Sequence, residues 1–207
     1  MKNMKKILVF AMAMLLVMAI SVAGTIAYLN STTGIVENTF SVGNVAITLD
    51  EIKVTEYGVA DGTSRVMANT YKLIPAHSYT KDPTVHVAAG SEDCFLFVKV
   101  DNQIAGIEAA GTTTIAAQMA ALHWVEVSDA PGVFCLTDGN GKPLAVKAGE
   151  SKVVFNSFTL AEDADVASNV TKKITVQAYA VQADTLDALT VDGLWDEAPS
   201  NWVAPTV

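Results

Sequence analysis

The sequence predicts a mainly all-β fold, a jelly roll or β-sandwich of about eight to ten strands with one or two short helices, preceded by an N-terminal signal helix. Three observations point there. Apolar and polar residues alternate in several short runs, the period of a half-buried strand. Clusters of Gly, Pro, Asn and Asp separate those runs, and these residues suit turns. The first 27 residues follow a different pattern from everything after them.

At the N-terminus Lys2, Lys5 and Lys6 precede an apolar run from Ile7 to Ala23, broken only by Ser21. A positive flank, an apolar core and then small residues is the order of a secretory signal. That run is 17 residues long. About 17 can span a bilayer, so a permanent anchor is the competing reading. The small residues Thr25 and Ala27 favour cleavage between Ala27 and Tyr28, with Ala23 as the alternative cut. The expected organisation is a signal peptide over 1–27, an N-terminal arm over 28–39 and a jelly-roll-like domain over 40–207. Removing the signal takes three of the 13 bases and none of the 22 acids, so the net charge moves from −9 to −12. Such a surface repels nucleic acid, and membrane contact is expected only through the uncleaved signal.

The strands follow in order. In Asn44–Asp50, Val45, Ile47 and Leu49 share one face. Val54–Tyr57, Met67–Leu73 and Thr84–Ala88 are further candidates. Cys94–Val100 is apolar on both faces until Lys99, which predicts a central strand. Thr113–His123 is rich in Ala, with Ile115, Met119 and Leu122 on one helical face. Trp124–Ser128 and Val133–Leu136 read as short strands, and Asp138-Gly139-Asn140-Gly141 as the turn of a hairpin from Phe134–Thr137 to Pro143–Lys147. Ala60-Asp61-Gly62 reads as another turn. Ser151–Leu160 reads as one strand. Lys173–Gln182 alternates most clearly, with Ile174, Val176, Ala178 and Ala180 on one face and Thr175, Gln177, Tyr179 and Val181 on the other. Asp184–Glu197 is a second helix, with Leu186, Leu189, Leu194 and Trp195 as its apolar stripe and Gly193 interrupting it.

Catalytic patterns do not emerge. His77, His86 and His123 form neither H-E-x-x-H nor an i, i+4 pair, and there is no G-x-S-x-G elbow. The acidic runs lack calcium-loop spacing and read as solvated turns. No cofactor and no metal site is expected. Cys94 and Cys135 permit a disulfide in an exported protein, closing a loop of about 40 residues for roughly 3–4 kcal/mol. Both also sit in apolar runs, where cysteine packs as a small hydrophobe.

The junction Gly24-Thr25-Ile26-Ala27-Tyr28-Leu29-Asn30, followed by Asn38-Thr39-Phe40-Ser41-Val42-Gly43-Asn44-Val45, resembles the start of the TasA/camelysin group. Leu73-Ile74-Pro75, Thr80-Lys81-Asp82-Pro83-Thr84-Val85 and Gly90-Ser91-Glu92-Asp93 resemble a second segment of that group, with Ala76 where glycine is usual. The late strand Thr175–Ala183 continues the likeness, whereas Gly106–Thr137 matches weakly. The resemblance implies a secreted structural subunit of extracellular biofilm-matrix fibres, processed by a SipW-type signal peptidase. It implies that residues 28–39, with Thr32, Thr33, Ile35 and Val36 at their centre, insert as a donor strand into a neighbouring copy. Partners would then be the chain itself and a minor anchoring subunit. A camelysin-like metallopeptidase and a monomeric adhesin or carbohydrate-binding module are the alternatives.

Overall fold

The computed structural model describes residues 45–169, 171–184 and 190–196. Every described residue lies in one compact unit, residues 42–207. Eleven strands and two short helices are present among these residues: β1 (Ile47–Val54), β2 (Ala60–Val66), β3 (Ser78–Thr80), β4 (Thr84–Val87), β5 (Cys94–Asn102), α1 (Ile115–Ala121), β6 (Trp124–Glu126), β7 (Val133–Leu136), β8 (Ala145–Val146), β9 (Ser151–Val153), β10 (Ser157–Thr159), β11 (Ile174–Gln182) and α2 (Val191–Asp196). They form an all-β, sandwich-like fold of curled antiparallel sheets.

One sheet has the order β2-β1-β4-β9 and a second joins β10 to β3. The third runs β11-β5-β7-β6, with β8 also paired to β5. All three contribute to one core. Val85 and Val87 enter it from the first sheet, Tyr79 and Phe158 from the second, and Leu96, Val98 and Leu136 from the third. Tyr79 and Phe158 stack with ring centroids 4.7 Å apart. α1 closes one end with Ile115 and Met119. Thr114 caps it by accepting from Ala117 N, and Glu108 accepts from Ile115 N at 3.1 Å. The apolar stripe expected of this helix is the stripe it buries.

The outer face of the third sheet is apolar too. There Phe95, Phe97, Val133 and Cys135 pack with Val191 and Leu194 of α2. β5 is therefore covered on both faces, which accounts for its unbroken apolar run. On β11 the expected division of faces holds: Ile174, Val176, Ala178 and Ala180 pack on the main core, Tyr179 and Val181 on the smaller one. The helix expected over Asp184–Glu197 is described only as Val191–Asp196, since residues 185–189 lie outside the described ones.

Several local expectations are corrected. The first turn lies at Thr55–Gly58, not at Ala60-Asp61-Gly62, so the short strand expected at Val54–Tyr57 is the end of β1 and the turn itself. Gly58 sets that position with φ +73, and its backbone passes so close to Tyr79 that a Cβ would lie 2.7 Å from Tyr79 Cα. Met67–Leu73 forms no strand. Its Asn69 side chain takes the place of a ladder, donating to Ile52 O and accepting from Val54 N. Ser151–Leu160 is two strands in two sheets. Val154 and Phe155 are consecutive and both fully buried, a pattern that alternation forbids, and Gln118 Oε1 accepts from Asn156 N and Ser157 N at the corner. The Asp138–Gly141 turn forms as expected, but the following β8 pairs with β5, not β7.

Two glycines with similar backbone angles separate strain from collision. Gly58→Ala is expected to cost about 2–4 kcal/mol in denaturant unfolding. Gly62→Ala, at φ +78 with open space around it, is expected to cost about 1 kcal/mol from left-handed strain alone. Equal losses at the two sites would refute the close approach of Gly58 to Tyr79.

Candidate functional site

Two places stand out, the seam between β1 and β11 and a buried polar cluster. The seam lies where β1 comes within 8 Å of β11 between Cα atoms. From Ile47 to Asp50, β1 pairs with β4 on one side, while β2 joins its other side only from Glu51 onward. β11 pairs with β5 through all nine residues, and among the described residues no strand lies along its second edge. Val45, Ile47 and Leu49 from one sheet and Ile174, Val176, Ala178 and Ala180 from the other all pack on the main core yet remain half-buried. Sheet edges in self-contained proteins are blunted by charges, proline, bulges or shortness. Other strands at sheet ends obey this: β2 carries Asp61 and Arg65, β9 is three residues with Lys152, and β6 is three residues with Glu126. β11 is long, in continuous register, and without charge or proline.

The polar cluster begins on β1. Val45, Ile47 and Leu49 alternate toward the core, and the next residue in that alternation is Glu51, which is buried. Its carboxylate holds two partners. Lys81 Nζ donates to Oε2 at 2.5 Å and Asn69 Nδ2 donates to Oε1 at 2.9 Å. Asn69 Oδ1 in turn accepts from Val54 N at 3.0 Å. Tyr71 covers the group: Lys81 Nζ stands 5.9 Å from its ring centroid, and its hydroxyl donates to Thr80 O. Burial, and next the Glu51 carboxylate, push the Tyr71 phenol well above its ordinary range.

On the solvent side of the same sheet a ladder of polar side chains crosses the strands. Arg65 grips Asp50 and Asp82 and donates to Thr84 Oγ1 at 2.8 Å. His86 Nε2 lies 2.9 Å from Asp50 Oδ1 and His86 Nδ1 lies 2.7 Å from Ser151 Oγ. Burial raises the Asp50 pKa, but the hydrogen bonds and charges of Arg65 and His86 outweigh it and hold the carboxyl below its ordinary value. Serine, histidine and aspartate thus stand in line, yet the aspartate is committed to Arg65, and the serine lies on a strand of the open sheet face.

The sequence-derived candidates fall as follows. Ala27, Tyr28, Thr32, Thr33, Ile35 and Val36 lie outside the described residues. The disulfide is corrected: Cys94 and Cys135 are free and buried. Cys94 faces the main core, while Cys135 sits opposite Phe97 and faces the smaller one, so the sheet separates the thiols. The histidines are dispersed: His77 on Tyr57 O, His86 in the ladder, and His123 after α1 with φ 65. Among the described residues no three His, Cys, Asp or Glu side chains gather closely enough to hold a metal ion. The buried cluster escaped the sequence reading, although an acid continuing the Val45-Ile47-Leu49 alternation was its signal. Compared with known proteins, the chain matches no family model, no curated protein and no solved structure.

The thiols give a test of these placements. Burial raises Cys94 from 9.0 to about 11, with Asp93 adding to it, and raises Cys135 to about 12. The unfolded chain therefore loses these protons first. Their contribution to stability is complete below pH 9.0 and declines as pH rises from there through about 11 for Cys94 and about 12 for Cys135. Both thiols are expected to resist a thiol reagent at about pH 8 until the protein unfolds. Reaction of either in the folded protein would contradict its burial.

Proposed function

We propose that this protein is a secreted structural subunit of extracellular biofilm-matrix fibres, assembling by β-strand donation, as its resemblance to the TasA/camelysin group implies. The observation that carries the reading is the β1–β11 seam. Half-buried core residues on β1 and on β11, the last strand of its sheet among the described residues, suit an added strand whose alternate side chains would complete the core. Val45, which leads into β1, packs on the main core beside this seam. Residues 28–39 contain no proline and are rich in Thr and β-branched residues, a composition that suits a strand. Signal cleavage after Ala27 by a SipW-type peptidase would free that arm from the membrane and so time the exchange. The partners are other copies of the chain and a minor anchoring subunit.

Electron microscopy of protein beginning at Tyr28, beside protein beginning at Phe40, tests the proposal. Ordered filaments are expected from the first and monomers from the second. Filaments from both would discard the donated arm, and monomers from both across salt and pH would discard the fibre role.

A further inference from the structure

We propose that Lys81 and Asn69 join through an intramolecular isopeptide bond, formed by the protein itself with Glu51 as the proton carrier. The inference is independent of the fibre reading. It rests on three side chains that hold every group the reaction needs: an amine on Oε2 of Glu51, a carboxamide on Oε1 of the same carboxylate, and a backbone N–H on the amide oxygen. Glu51 and Lys81 are both buried. A buried ion pair is a poor way to stabilise a core, and apolar residues of similar volume serve as well or better. A site that keeps such a pair against an amide calls for a chemical explanation.

The steps balance as follows. Lys81 Nζ passes one proton to Glu51 along their short hydrogen bond and becomes a neutral amine, the nucleophilic form. Its lone pair attacks Cγ of Asn69, forming the N–C bond and moving the carbonyl electrons onto Oδ1. Val54 N–H, 3.0 Å from that oxygen, stabilises the developing negative charge. Glu51 then returns its proton to Nδ2, to which Oε1 is already hydrogen-bonded. The Cγ–Nδ2 bond breaks, the carbonyl re-forms, ammonia leaves and the new amide nitrogen gives up a second proton to Glu51. Of the three Nζ protons, one leaves with the ammonia, one remains on the new amide and one rests on Glu51. No oxidant or cofactor enters. The reaction replaces two buried charges by a neutral amide and a neutral acid, and that relief of buried charge, with escape of ammonia, drives it forward. The Tyr71 ring over Lys81 shields the amine from water.

The bond would tie the segment after β2 to the three residues Lys81–Pro83 that lead from β3 into β4, across the irregular stretch where backbone pairing is sparse. Mass spectrometry of the purified full chain, intact and after tryptic digestion, reads it directly. The folded protein is expected to be lighter than its sequence by one ammonia. Trypsin should leave Lys81 uncut and yield residues 66–72 joined to residues 73–99. Lys81→Arg keeps the charge on Glu51 but has no primary amine, and Glu51→Gln keeps the shape but carries no proton. Both are expected at full sequence mass with the two peptides separate. Folded wild-type protein at full mass would overturn the proposal. So would an ammonia loss with separate peptides, the mark of a succinimide at Asn69, or a branched peptide that persists in Glu51→Gln.

Discussion

β5 is the constraint from which the rest of the architecture follows. Cys94, Leu96 and Val98 turn into the main core while Phe95 and Phe97 turn the other way, and all five are essentially inaccessible. Burial of such side chains is worth about 2 kcal/mol each, so neither face can be left to water. One face is met by the β4 sheet, by Tyr79 and Phe158, and by α1. The other requires a second cover, which α2 supplies through Val191 and Leu194, with Trp195 tilted against Phe97 at 5.2 Å. A two-layer sandwich would expose Phe95 and Phe97. The added layer also explains why the cysteines are apart: register places Cys135 opposite Phe97, while Cys94 lies on the face that packs with Leu96 and Val98.

The polar groups follow from a second rule, that buried donors and acceptors must be paired. Where strands end or switch sheets, side chains take over from the backbone ladder. Asn69 serves both Ile52 O and Val54 N where the β1–β2 register shifts. Gln118 serves Asn156 and Ser157 where the chain leaves β9 for β10. Trp124 Nε1 donates to Val153 O beside the same corner. These contacts hold irregular backbone inside the sandwich without leaving its amides bare.

That rule also sets what the sequence could reveal. β5, β11 and α1 were legible because each is long enough for its period to repeat, and their buried faces are the expected ones. Met67–Leu73 and Ser151–Leu160 were misread because apolar content alone cannot tell a strand from a segment whose side chains plug a core. Consecutive buried residues, Val154 and Phe155, break the alternation only once the corner is known. The Glu51, Asn69 and Lys81 cluster was harder still, since its members are far apart in sequence and meet through the β1–β2 hairpin and the chain before β4. The seam depends on which strand neighbours which, and a single strand's pattern does not contain that information.

The seam poses a problem of selectivity that charge helps to answer. Long, uncharged strand edges, where exposed, favour indiscriminate association. Residues 28–207 carry a net charge of −12, but at physiological salt repulsion is screened beyond about 8 Å. Repulsion therefore slows the approach of two sandwiches without deciding which strand docks. The choice would fall, under the fibre reading, to the half-buried row of Ile174, Val176, Ala178 and Ala180, because a one-residue slip would turn an incoming strand's apolar set outward. Under the fibre reading, charge keeps subunits dispersed until a strand with the matching alternation arrives, and the geometry of the seam then selects it.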